Sequence, residues 1–82
     1  MMRGKVKFFA SLREATGRQE TEWELADGAT VETLAAHLRK TLPGLDKWVN
    51  RMWIAVNRRY AAPETVLQDG DEVALFPPVS GG

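Results

Sequence analysis

The residues with the clearest chemical potential close the sequence: Phe76-Pro77-Pro78-Val79-Ser80-Gly81-Gly82. Read as a chain terminus, this stretch presents a Gly-Gly carboxylate. Two residues without Cβ atoms let the end thread a narrow channel and leave the terminal carbonyl open to attack. A free carboxylate is a poor electrophile, so reaction there requires an activating step such as adenylation. Pro77 and Pro78 stiffen the exit, because proline fixes φ and biases the residue before it toward extended backbone. Extended at about 3.3–3.6 Å per residue, the segment 77–82 reaches ~20 Å, enough to enter a partner's active site.

The remaining side chains offer little chemistry of their own. One histidine and no cysteine among 82 residues exclude a thiol nucleophile, a disulfide framework and a zinc–thiolate site. Neither a GxxxxGK[ST] nor a GxGxxG phosphate loop is present. Eleven basic and 11 acidic residues cancel, which argues against a general nucleic-acid partner, since that role needs excess positive charge. No apolar run approaches the roughly 18 residues of a membrane span, and Met1-Met2-Arg3-Gly4-Lys5 lacks the apolar core of a signal peptide. At 44% hydrophobic and 27% charged the composition is globular. The expectation is a cytoplasmic protein with one domain over residues 1–76, a flexible Gly-Gly tail over 77–82, and no membrane or nucleic-acid partner.

Local patterns supply the elements that must position this tail. Residues 5–9 alternate as a strand with Val6 and Phe8 inward; Phe9 breaks the pattern by sharing the solvent face with Lys5 and Lys7. A helical bend follows, ending at Gly17, with Leu12 inward and Arg13 exposed. Residues 21–25 place Thr21, Trp23 and Leu25 on one face and Glu22 and Glu24 on the other, where an antiparallel partner would bring Lys5 and Lys7 near them. Thr30 is a helix N-cap, and Val31, Leu34, Ala35, Leu38 and Leu42 form one apolar stripe before Pro43-Gly44. Glu32 early, and Arg39 and Lys40 late, suit the helix dipole. His37 lies at the stripe's edge and reads as a surface residue. Leu45, Trp48 and Val49 anchor a connector. Residues 52–56 form a third strand with Met52, Ile54 and Val56 opposite Trp53 and Ala55. Asn57-Arg58 is a tight turn into a short return strand. Val66 and Leu67 anchor an irregular segment, Asp69-Gly70 turns, and residues 72–76 form the last strand, with Ala74 and Phe76 opposite Val73 and Leu75.

A hairpin, one helix across a sheet face and returning strands make an α+β fold with a mixed sheet. In the ubiquitin-like β-grasp arrangement the first and last strands are parallel neighbours at the sheet centre. Their uncovered face would then carry Phe9 and Phe76, continued by Trp53, as an apolar patch at the base of the tail. A one-residue error in register would exchange the faces.

The motifs Lys5-Val6-Lys7-Phe8-Phe9-Ala10-Ser11-Leu12-Arg13-Glu14, Ala55-Val56-Asn57, Asp69-Gly70-Asp71-Glu72-Val73-Ala74 and the terminal Phe76-Pro77-Pro78-Val79-Ser80-Gly81-Gly82 resemble the small subunit of molybdopterin synthase, the MoaD type of ubiquitin-like sulfur carrier. The resemblance implies a noncatalytic subunit of a sulfurtransferase complex, with no bound cofactor. An adenylyltransferase related to ubiquitin-activating enzymes would use ATP to form an acyl-adenylate on Gly82. A sulfur donor would convert it to a thiocarboxylate, and the tail would enter the large synthase subunit to sulfurate cyclic pyranopterin monophosphate. Two small and two large subunits would form a heterotetramer. By position, Gly82 carries the sulfur and Gly81 permits access. Phe9, Phe76, Pro77, Pro78, Val79 and Trp53 would face the large subunit, with Arg13 a further contact. Related carriers for thiamine or tRNA thiolation and protein-modifying tags share the terminal Gly-Gly. A β-grasp binding module using Arg58 and Arg59 toward an acidic partner is the reading from another class.

Overall fold

The computed structural model describes residues 1–45 and 52–78. Its elements are β1 (Met2–Phe8), α1 (Ser11–Thr16), β2 (Glu20–Leu25), α2 (Val31–Thr41), β3 (Trp53–Val56), β4 (Arg59–Tyr60) and β5 (Glu72–Phe76). They form one sheet in the order β2-β1-β5-β3-β4. The central pair β1 and β5 is parallel, and every other pair is antiparallel. This is the ubiquitin-like β-grasp arrangement expected from the order of the elements.

The core lies between the inner sheet face and α2. Val6, Phe8, Trp23, Val73 and Leu75 meet Val31, Leu34 and Leu38, and Leu12, Leu45 and Leu67 close the ends. Thr30 caps α2 by accepting from the Thr33 amide, and Leu42 ends it. The irregular segment before β5 also serves this helix. Thr65 and Pro63 carbonyls accept from the Val31 and Glu32 amides, two donors that no helical turn precedes. Leu67 is buried as expected. Val66 is not the second side-chain anchor, being 50% exposed; its backbone bridges to Thr30 instead.

Several strand boundaries differ from the sequence reading: β1 ends at Phe8 rather than Phe9, β2 starts at Glu20 rather than Thr21, and the starts of β1 and β3 also move. β1 starts at Met2 rather than Lys5, because Met2 is itself buried and lies opposite Leu25 across the hairpin. β3 starts at Trp53, with Met52 packed against the core just before it. Trp48 and Val49 fall outside the described residues.

Gly4 allows a close backbone approach beside β1. A Cβ there would collide with the Asp71 carbonyl and with the indole of Trp23, whose Nε1 donates to that same carbonyl at 3.0 Å. The sharp exit from β1 is less forgiving. Ala10 sits at φ 52°, ψ −128°, and the Leu12 amide bonds back to the Phe9 carbonyl at 3.1 Å. That geometry matches a type II′ turn, whose first central residue is normally glycine.

Candidate functional site

The register of the sheet arranges its outer face in rows. One row is aromatic: Trp53 lies opposite Phe76, and Phe9 reaches the same level because its amide donates to the Leu75 carbonyl at 3.2 Å. Phe9 and Phe76 stack with centroids 4.7 Å apart and rings 12° from parallel, within the usual range for offset stacking. Trp53 remains 48% exposed and meets Tyr60 edge-on at 5.2 Å and 64°. Pro77 and Pro78 leave the sheet from the end of this row and are half-buried.

The next row runs Lys7, Ala74, Ala55, Tyr60 across β1, β5, β3 and β4. Below it, Lys5 lies opposite Glu72. Charges in these rows are paired: Lys7 with Glu72 at 3.5 Å, Lys5 with Glu20 at 3.8 Å, Arg3 with Glu24 at 2.8 Å. The expected approach of Lys5 and Lys7 to Glu22 and Glu24 is therefore corrected in detail. Lys5 does lie opposite Glu22, but its ammonium leans diagonally to Glu20, while Lys7 turns to β5 and Arg3 takes Glu24. Long flexible side chains choose among diagonal partners that strand pairing alone does not rank.

A polar clamp fixes the hairpin between β3 and β4. Asn57 and Arg58 have φ of 51° and 72°, as in a two-residue type I′ turn. The Asn57 amide donates to the Glu72 carbonyl at 2.8 Å, and its side-chain carbonyl accepts from the Glu72 amide at 3.0 Å. Asn57 Nδ2 donates to the carboxylate of Asp71, which also accepts from the Gln68 amide at 2.7 Å. Asp71 is 7% exposed, and these donors satisfy the carboxylate in place of water. The sequence reading quoted Asp71 in a motif without giving it this task.

The structure thus brings together Phe9, Phe76, Trp53, Pro77 and Pro78. Arg13 is exposed on α1 and does not line the groove beside the aromatic row. Val79, Gly81 and Gly82 lie outside the described residues. Tyr60 was missed, although a two-residue turn at Asn57-Arg58 sets Tyr60 opposite Ala55 and hence on the face of Trp53. His37 is exposed on α2. Among the described residues no group of three or more His, Asp or Glu side chains could hold a metal ion, and no helix is long and apolar enough to cross a membrane. What the face offers is attachment: an apolar surface joined to the strand from which the terminal segment departs.

The ThiS family profile matches residues 6–82. The chain belongs to the ThiS family. It is 43% identical over 83 aligned positions to a molybdopterin synthase sulfur carrier subunit of Chlamydomonas reinhardtii, covering 99% of this chain and 100% of that relative. Among solved structures, SAMP1 of Haloferax volcanii superposes with a TM-score of 0.88 at 32% identity, covering 98% of this chain and 99% of that one. A protein–protein complex of subunits 1 and 2 of the molybdopterin-converting factor of Helicobacter pylori contains a chain with a TM-score of 0.72 at 29% identity, covering 99% and 100% respectively. The likeness to MoaD-type carriers read from the motifs therefore extends over the whole length of this ThiS-family chain.

Proposed function

We propose that this protein is the sulfur-carrier small subunit of molybdopterin synthase. The observation that carries this reading is the stacked Phe9–Phe76 pair, extended by Trp53, at the root of the Pro77-Pro78 exit. Large aromatic groups on an uncovered sheet face bury well against a partner, and a tail leaving from the same place is delivered into that partner as it docks. The partner is the large synthase subunit, in a heterotetramer of two small and two large chains. The full-length relatives that carry this name support the assignment.

Gly82 is the working residue, and Gly81 keeps its approach narrow. The Gly82 carboxylate attacks the α-phosphorus of ATP on an adenylyltransferase, releasing pyrophosphate and leaving an acyl-adenylate. A sulfur donor then displaces AMP, and the product is a thiocarboxylate. In the large subunit that sulfur passes to cyclic pyranopterin monophosphate, and a second charging restores the carrier. No side chain of this chain performs acid, base or nucleophilic work in that cycle, so the subunit is noncatalytic. ATP is consumed by the activating enzyme in the cytoplasm.

Intact mass tests the reading. Incubation with ATP, the activating enzyme and a sulfide source is expected to add about 16 Da, the replacement of one oxygen by sulfur in a carboxyl group activated for acyl transfer. An unchanged mass with a competent activator would sink the carrier assignment. The likeness to SAMP1, named a small archaeal modifier protein, favours a second reading in which the activated Gly82 is attached to lysine amines of other proteins. ATP-dependent conjugates heavier by one copy of this chain would support it.

A further inference from the structure

The row Lys7, Ala74, Ala55, Tyr60 contains the two smallest side chains of the outer face side by side, because Ala55 and Ala74 are register partners. Phe76 and Phe9 rise on one side and Tyr60 and Arg58 on the other, leaving a groove of about 410 Å³. Its floor is apolar and its charges do not balance. Lys7 and Glu72 pair with each other at 3.5 Å, whereas Arg58 is in no ion pair among the described residues. Arg58 is also locally disfavoured. At φ 72° it occupies the second central position of a type I′ turn, where glycine is preferred. The Asp71–Asn57 clamp holds that turn in place, so the rim is rigid before anything binds.

We propose that this groove is a socket for one large apolar side chain of the docked partner, and that the same partner segment carries a carboxylate for Arg58. The inference rests on the docking role assigned above and specifies the chemistry of that partner. A small-molecule ligand would need several convergent polar groups to orient it. Here Lys7 and Glu72 neutralise each other, which leaves the Arg58 guanidinium and the Tyr60 hydroxyl as the groove's other polar side-chain groups, too few to orient a small ligand. Steric fit over the alanines and one charge contact suit a protein side chain flanked by an acid. They also explain why the chain keeps arginine where its backbone favours glycine.

Affinity for the purified large synthase subunit, measured by titration calorimetry, tests this with the full chain. Ala74→Leu fills the socket and is expected to weaken binding about tenfold or more. Arg58→Gly should move two readouts in opposite directions. It relieves the left-handed backbone and raises the melting temperature, yet weakens binding about fivefold and flattens its salt dependence. If Ala74→Leu fails to fold, Arg58→Gly decides alone. Either folded variant binding as tightly as the unmodified chain overturns the socket. Phe76→Asp separates the two layers: if it alone loses binding, the socket is wrong and the docking face stands. If all three variants bind normally, the docking face is wrong as well.

Discussion

The outer face of the sheet has two halves built on opposite principles. On β2 and β1, Glu20, Glu24, Arg3 and Lys5 pair among themselves, and Lys7 completes its pairing at the boundary with Glu72. On β5, β3 and β4, Phe76, Trp53, Ala55, Ala74 and Tyr60 form no ion pair among the described residues and meet one another, Phe9 and solvent. The charged half is paired within the chain except for Glu22, which is in no ion pair among the described residues, and its acidic side chains also guard the exposed edge of β2 against pairing with another strand. The aromatic half is left open by the described residues, and in the proposed function the large subunit completes it. The comparison explains why the tail leaves from β5: the strand that borders both halves delivers it beside the unsatisfied one.

The largest expected effect that sharpens this contrast is Phe76→Asp. It should cost about 2–4 kcal/mol of binding to the large subunit, as for a central aromatic anchor, and leave the melting temperature nearly unchanged. Loss of the fold in circular dichroism would mean that Phe76 is a core residue and the two halves are not distinct. Next comes Asp71→Asn, which places an NH₂ where a carboxylate oxygen accepts from Asn57 or Gln68. A loss of about 1–3 kcal/mol is expected from denaturant unfolding, with a weaker grip on the hairpin that carries Arg58 and Tyr60. An unchanged midpoint would show that the clamp is dispensable. The smallest effect belongs to the charged half. Arg3 and Glu24 are 73% and 50% exposed, so Glu24→Gln should cost no more than about 0.2–1 kcal/mol, fading as salt screens the pair. Any effect of Glu24→Gln on large-subunit affinity would break the division between the halves.

Much of this was legible in local pattern. Alternation in β1, β2, β3 and β5 assigned the inward faces, including Val6, Trp23, Ile54 and Val73, because the period of a strand is two and needs no partner to be read. The stripe on α2 and its Thr30 cap were readable for the same reason. Illegible features depend on what lies across the sheet. Tyr60 joins the site through its register with Ala55, and Lys5 selects Glu20 over Glu22 by side-chain reach. Leu67 and Val66 look equivalent as letters, yet only the path of the chain past α2 buries one and exposes the other.

Phe9, Phe76 and Trp53 fall on one face only once the β-grasp strand order is assumed; by itself the sequence determined which residues each strand and helix would present, and that the last strand runs through Pro77-Pro78 to a Gly-Gly segment. These follow from periodicity, proline and glycine, which act over a few neighbouring residues. Only the tertiary structure decided that Ala55 and Ala74 would lie side by side, that Asp71 would be buried to hold Asn57, and that Arg58, in no ion pair among the described residues, would stand above an apolar floor. The pairs Ala55–Ala74 and Asn57–Asp71 join distant parts of the sequence, the second across 14 positions. They come into being only when strand order and register are chosen by the core as a whole.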